Sequence, residues 1–173
     1  DSTFNNTRSD KDGNSIYIGQ TNGYTVTISG SHFIDCGTDP NSYVIDINSR
    51  NFDFFDNEIV FSDPLQSCGC IKSNQYYQHN FYRNTFRNAR VNFAKNSAGI
   101  DESNPSESNK IRLTDNIFDC ISGPCEGRCF YIKFADINID ITNNSIMNCP
   151  SGGILIKIEF ETNMQKLEFN LFQ

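Results

Sequence analysis

The chain has 173 residues and a formal net charge of −7, with 15 Phe and no Trp. The negative charge argues against nucleic acid or an anionic membrane surface as the main partner. No apolar run reaches the roughly 18 residues of a membrane-spanning helix, so we expect no direct membrane insertion. Strong helix formers are few and β-branched or aromatic residues are common, which predicts an all-β protein.

A pattern of strand, turn and apolar residue recurs along the whole chain. In its clearest copy Ile139 and Ile141 alternate with polar residues, Asn143 and Asn144 follow, and Ile146 comes next. Alternation predicts a strand, and Asn predicts a turn because it tolerates left-handed backbone. We call the apolar residue after the turn the anchor. In chain order the anchors are Phe4, Phe33, Ile59, Phe86, Phe118 and Ile146, and they stand 26 to 32 residues apart.

Two further features accompany most anchors. A strand is predicted five and seven positions upstream by the pairs Val26/Ile28, Phe52/Phe54, His79/Phe81, Ile111/Leu113 and Ile139/Ile141. A second apolar alternation follows about ten residues after most anchors, at residues 16–18, 43–47, 91–93, 130–134 and 154–160. Repeats of this length with short strands and no helix predict a parallel β-helix, a solenoid of about six turns.

Four of the six residues two positions before an anchor are asparagines, namely Asn57, Asn84, Asn116 and Asn144. In stacked turns we expect each side-chain amide to bond its counterpart one repeat along, which would satisfy polar groups inside the protein. We expect the anchors to form an apolar column beside them. A leucine-rich repeat is the main rival, but Leu is scarce and the segment 153–160 has the pattern of a strand, not of a helix.

The sequence predicts one domain over residues 1–173, with incomplete repeats at both ends. The polar segment 95–110 accounts for the longest spacing and is expected to protrude as a loop. Uncapped solenoid ends would expose apolar columns and unpaired strands. We therefore expect the chain to be a fragment of a longer solenoid, or to be capped by neighbouring segments or chains.

No catalytic, cofactor-binding or metal-ligating set stands out. Asp53 and Asp140 occupy outward positions three repeats apart, roughly 14 Å at the strand spacing, whereas a glycosidase pair needs about 5–9.5 Å. His79 stands where other repeats carry Val, Phe or Ile, so we interpret it as a packed histidine. The sequence favours a protein that is not an enzyme.

Seven cysteines favour an oxidising compartment. Candidate disulfides join Cys120 to Cys149, and Cys36 to Cys68 or Cys70, although spacing does not settle the connectivity; buried, reduced thiols are the alternative. Asn5, in Asn5-Asn6-Thr7, is a candidate glycosylation site. The second sequon begins at Asn143 and lies in a stacked turn, which favours an unmodified asparagine.

The repeats resemble the right-handed β-helix repeats of large surface proteins of the polymorphic-membrane-protein type, and those of pectin-lyase-like proteins. The likeness rests on residues 84–89, on residues 116–120, and on residues 144–149 followed by Gly152-Gly153-Ile154. It implies a right-handed solenoid at the cell surface or outside the cell. The function it implies is structural or adhesive, with a protein or glycan partner bound through loops or a lateral face. The alternatives are a fragment of a pectin-lyase-like carbohydrate-active enzyme and an architectural component of a filament or ciliary assembly.

Overall fold

The computed structural model describes residues 1–7, 15–36, 43–62, 71–73, 78–88, 91–94, 110–119, 130–134, 138–148, 156–160 and 166–170. Their regular structure is β-strand throughout, and no helix able to cross a membrane occurs among them. Every strand pairing found in these ranges is parallel, and the strands belong to two sheets. The predicted all-β class with parallel sheets is thereby confirmed.

The smaller sheet, which we call the anchor sheet, consists of short strands with an anchor at the centre of each. They are β1 (Thr3–Asn5), β3 (His32–Ile34), β5 (Glu58–Val60), β8 (Thr85–Arg87), β11 (Ile117–Asp119) and β14 (Ser145–Met147). Neighbouring strands pair in register, so that Phe4 lies opposite Phe33, and the same holds for each successive anchor up to Ile146. Successive repeats therefore stack one on the next.

The other sheet, which we call the large sheet, contains the strands between the anchors. They are β2 (Ile16–Ser29), β4 (Ile45–Phe55), β6 (Ile71–Ser73), β7 (Gln78–Tyr82), β9 (Val91–Ala94), β10 (Lys110–Thr114), β12 (Phe130–Phe134), β13 (Asn138–Thr142), β15 (Ile156–Phe160) and β16 (Lys166–Asn170). The first part of β4 pairs with β6 and its second part with β7. The pairing continues through β9, β12 and β15 on one side and through β10, β13 and β16 on the other.

Alternating burial explains why these segments are strands. Ile111 and Leu113 of β10 are fully buried, whereas Lys110, Arg112 and Thr114 between and beside them are half-buried. The same alternation on β7 buries His79 and Phe81. The inward side chains form one hydrophobic core whose largest fully buried members are Phe33, Phe52, Phe54, Phe81, Phe86 and Phe118.

The turn before each anchor strand has a residue with positive φ three positions before the anchor. These residues are Gly30, Asp56, Arg83, Asp115 and Asn143, with φ between 51° and 61°, and we call them the turn column. Gly, Asp and Asn occupy this region at low cost, while Arg rarely does. The residue that follows each turn-column residue is thereby aimed inward; it is Ser31 after Gly30 and a stacking asparagine after each of the other four.

Candidate functional site

The asparagines that follow the turn-column residues form a continuous hydrogen-bonded ladder. Asn57 Nδ2 donates to Asn84 Oδ1 at 3.2 Å, Asn84 Nδ2 to Asn116 Oδ1 at 3.0 Å, and Asn116 Nδ2 to Asn144 Oδ1 at 2.9 Å. These are the amide-to-amide bonds expected from the sequence. Asn57, Asn84 and Asn116 are buried and Asn144 is half-buried, so the ladder satisfies amides that would be costly to leave unpaired.

The ladder also bonds the backbone of the neighbouring repeats. The main-chain N–H of Asn57 donates to Asn84 Oδ1, and that of Asn84 donates to Asn116 Oδ1, both at 3.0 Å. Asn84 Nδ2 donates in addition to the Phe54 carbonyl at 2.8 Å. Each central asparagine thus joins its own repeat to the repeats on both sides, and its role is to fix their register.

The anchors form an apolar column beside the ladder. Phe33, Ile59, Phe86 and Phe118 are at most 1% exposed. The Phe86 and Phe118 rings stack with centroids 4.9 Å apart and planes 11° apart. Ile146 is half-buried and packs against this core. A partner cannot reach the four buried anchors or the three buried asparagines, because almost all of their atoms are inside the protein, whereas Phe4, Asn144 and Ile146 are half-buried.

Several columns of residues available to a partner lie on the outward side of the second part of the large sheet, which we call the lateral face. Its central column is Thr27, Asp53, Asn80, Arg112 and Asp140, and its second column is Ser29, Phe55, Tyr82, Thr114 and Thr142. Apart from the exposed Thr27, these residues are half-buried. They therefore form the outer surface of these strands and are partly accessible to solvent and to a partner.

The central column of the lateral face carries mixed charge. Asn80 Nδ2 donates to Asp53 Oδ1 at 2.7 Å, while Asn80 Oδ1 is buried and accepts no hydrogen bond within the described residues. Lys110 Nζ lies 3.6 Å from Asp140 Oδ2. The strand register places Arg112 between Asn80 and Asp140. The column thus offers donors and acceptors in alternation instead of a single sign of charge.

The second column carries an aromatic and cationic cluster. Phe55 and Tyr82 stack with centroids 4.8 Å apart and planes 10° apart, and the Arg83 guanidinium lies 4.8 Å from the Tyr82 centroid. Arg83 Nε and Nη2 donate to the two oxygens of Asp56 at 2.7 and 2.8 Å. This hydrogen-bonded pair lowers the pKa of the Asp56 carboxyl and raises that of Arg83. We call these four residues the aromatic cluster.

Carboxylates on this face are poorly placed for acid–base catalysis. Asp53 and Asp140 are in register with two intervening strands, which separates them by roughly 14 Å, beyond the range of a glycosidase pair. The pKa of Asp56 is lowered, whereas a general acid needs a raised one. No group of three or more His, Cys, Asp or Glu that could hold a metal ion occurs in the described ranges.

Two other candidate residues are packed inside the protein. His79 is fully buried as expected, its Nε2 lies 2.9 Å from the Ser49 carbonyl, and burial lowers its pKa to about 4. Cys36 is a buried, free thiol whose Sγ lies 3.4 Å from the Phe4 and Ile34 carbonyls. The structure forms no disulfide at Cys36, where the sequence predicts one, and its candidate partners Cys68 and Cys70 lie outside the described residues.

The remaining predicted residues divide into exposed ones and ones that the structure does not describe. Asn5 is exposed on β1, and its Oδ1 accepts a hydrogen bond from Asn6 Nδ2 at 2.7 Å. Four candidate disulfide residues, Cys68, Cys70, Cys120 and Cys149, lie outside the described residues, and so does most of the predicted loop 95–110.

Comparison of this chain with known protein families, curated proteins and solved structures gives no match. A scan against protein-family models found no match, and neither did searches of curated proteins and of solved structures.

Proposed function

We propose that the chain is a right-handed parallel β-helix of about six turns that serves as a non-catalytic structural or adhesive segment of a larger extracellular or surface-associated protein. The observation that carries the proposal is the asparagine ladder, which bonds four successive repeats in one register beside a column of stacked anchors. A molecule held together in this way is a stiff rod. Stiffness suits a stalk or a display surface, and in the described ranges the core is filled by packed apolar side chains.

The lateral face supports an adhesive role. Phe55 and Tyr82 of the aromatic cluster lie on this face beside the charged column of Asp53, Arg112 and Asp140, and Asp56 and Arg83 of the same cluster are exposed in the adjoining turn column. Aromatic and Arg side chains are the residues that most often dominate binding energy at interfaces. Such a face suits a protein or a glycan, and a regular spacing of about 4.8 Å between repeats suits an elongated partner.

The edge formed by β1 and β2 supports contact with neighbouring solenoid segments or chains. Its inward residues Phe4, Ile16, Val26 and Ile28 are half-buried, while the equivalent Phe33, Phe52 and Phe54 one repeat along are fully buried. A further repeat laid against this edge, from the same or another chain, would bury them and pair the strand edges.

Two alternatives lead to different observations. A carbohydrate-active enzyme of the pectin-lyase-like class needs a carboxylate pair, and Asp53 and Asp140 are too far apart for one. A component of a filament or ciliary assembly needs reduced cysteines, and the free, buried thiol of Cys36 favours it over the enzyme. Secretion of the native protein would exclude the assembly inside the cell.

The adhesive proposal is tested by binding to a glycan array and to immobilised extracellular-matrix proteins. We expect binding that the double substitution Tyr82→Ser, Arg83→Ser weakens at least tenfold, since it removes the outer half of the aromatic cluster. The matched control is Arg87→Ser on the anchor sheet, also an exposed arginine paired with a carboxylate. Equal loss in both variants would contradict a role for the lateral face, and release of reducing ends from polygalacturonate would contradict the absence of catalysis.

A further inference from the structure

The tripeptide Asn143-Asn144-Ser145 matches the acceptor pattern for N-glycosylation, in which the first Asn carries the sugar. Its place in a stacked turn would hide the acceptor if both asparagines were stacked. The structure separates them. Asn144 belongs to the ladder, whereas Asn143 is a turn-column residue with φ 52° and an exposed side chain.

The hydrogen bonds of the two asparagines differ accordingly. Asn144 Nδ2 donates to the Leu113 carbonyl at 2.6 Å and to the Thr142 carbonyl at 3.0 Å, and its Oδ1 accepts from Asn116. Within the described residues no hydrogen bond is found for the Asn143 side chain. A group attached to Asn143 Nδ2 would therefore extend into solvent without breaking any bond of the ladder.

The surroundings of Asn143 leave room for a large group. The equivalent residues of the preceding three repeats, Asp56, Arg83 and Asp115, are exposed as well, so this part of the turn column faces solvent. Ser145, the hydroxyl residue of the sequon, is also exposed, and its backbone N–H remains bonded to the Asn116 carbonyl at 2.8 Å. A glycan here would project from the exposed turn between β13 and β14.

We propose that Asn143 is a site of N-linked glycosylation when the chain passes through a eukaryotic secretory pathway; the proposal rests on the extracellular location proposed above. The donor is an oligosaccharide linked to a lipid diphosphate. The bond between Asn143 Nδ2 and sugar C1 forms as the bond between C1 and the diphosphate oxygen breaks. The lipid diphosphate leaves, and the amide proton passes to a base of the transferase.

A glycan at this position would restrict how a partner reaches the lateral face. Asn143 lies two repeats from Arg83 in the turn column, about 10 Å at the strand spacing. The sugar would cover the edge of the lateral face next to the anchor sheet. A partner would then have to approach from the opposite edge, along the column of Asp53 and Arg112.

The test is expression as a secreted protein in cultured mammalian cells, with peptide N-glycosidase treatment and mass spectrometry. The enzyme removes the sugar and converts the glycosylated Asn to Asp, so peptide mapping of the unsubstituted protein identifies the position. In an Asn5→Gln background, which removes the other sequon, we expect one glycan that is lost when Ser145→Ala is added. The matched control Asn148→Gln changes another exposed Asn with φ near 56° that lies in no sequon, and it should keep the glycan.

Two results would overturn the proposal: an unmodified Asn143 in the secreted, unsubstituted protein, or a glycan that persists after Ser145→Ala. Failure of this proposal is distinguishable from failure of the proposed function. Glycan occupancy measures whether Asn143 is a competent acceptor in the host cell, whereas shape and partner binding are measured on protein made without sugar.

Discussion

Asn84→Ala removes the central member of the asparagine ladder and tests whether the ladder stabilises the fold. Asn84 is 1% exposed and its side chain makes four hydrogen bonds: two to Asn57, one to the Phe54 carbonyl and one to Asn116. Alanine leaves the buried N–H of Asn57 and the Phe54 carbonyl without these partners. An unsatisfied buried group costs about 1–3 kcal/mol, so we expect the free energy of unfolding to fall by about 3–5 kcal/mol.

The loss is measured by urea unfolding followed by far-ultraviolet circular dichroism and by tyrosine fluorescence, since the chain has no Trp. The midpoint and the slope together give the free energy. The matched control is Asn5→Ala, which removes an exposed strand amide with a hydrogen bond to the adjacent Asn6, and we expect a loss within about 0.5 kcal/mol. A loss for Asn84→Ala no larger than that of the control would refute the structural role of the ladder.

A double-mutant cycle sharpens the result. Asn57→Ala and Asn84→Ala remove opposite partners of the same hydrogen bonds, so their effects should not add. We expect the double variant to be more stable than the sum of the single losses predicts, by at least about 1 kcal/mol. Strict additivity would mean that the two amides act independently, contrary to the geometry of the ladder.

Three further predictions concern other parts of the protein. The buried His79 has a pKa of about 4 instead of 6.5, so the unfolded chain binds the proton at a higher pH than the folded protein does. The free energy of unfolding should therefore be constant above pH 6.5 in respect of His79 and fall by about 3 kcal/mol as the pH drops to 4. His79→Phe should flatten this pH dependence in urea unfolding, and an unchanged pH dependence would contradict the assignment. Phe86→Ala should lower the free energy of unfolding by about 3–5 kcal/mol, and Phe86→Ile should lower it much less, because Ile59 fills the same column. If both variants lost the same free energy of unfolding, the volume of the side chain would not explain the loss in Phe86→Ala. Arg83→Gln should raise the pKa of the Asp56 carboxyl toward its ordinary value in a carbon-13 NMR titration, and an unchanged pKa would contradict the ion pair.

The periodic part of the structure could be predicted from the sequence, because it depends on residues that recur at equivalent positions. The anchors and the stacking asparagines recur at 26 to 32 residues and appear in register. His79 was predicted to be packed because Phe52 and Ile111 occupy the same place in neighbouring repeats, and it is fully buried. Periodicity thus identified both a polar and an apolar column.

Features carried by single residues could not be predicted. Strand β6 has no apolar alternation that would predict it from the sequence. Its pairing with β4 and β9 is known only from the strand register in the structure. The sequence predicts a turn from the asparagines, but it does not show that positive φ falls on the residue before the stacking asparagine. At one position that residue is Arg83. Arginine has no preference for that backbone region. Its pairing with Asp56 and its stacking on Tyr82 depend on neighbouring repeats, which no local pattern reveals.

The asparagine ladder also gives the molecule a polarity. In the amide-to-amide bonds, Nδ2 of Asn57, Asn84 and Asn116 donates to the asparagine of the next repeat toward higher residue numbers, and no such bond runs the other way among the described residues. A repeat added in the opposite orientation would bring two amide donors or two carbonyl acceptors face to face. A repeat that continued the ladder would therefore have to join in head-to-tail order, and head-to-tail contacts generate rings or linear filaments in preference to twofold dimers.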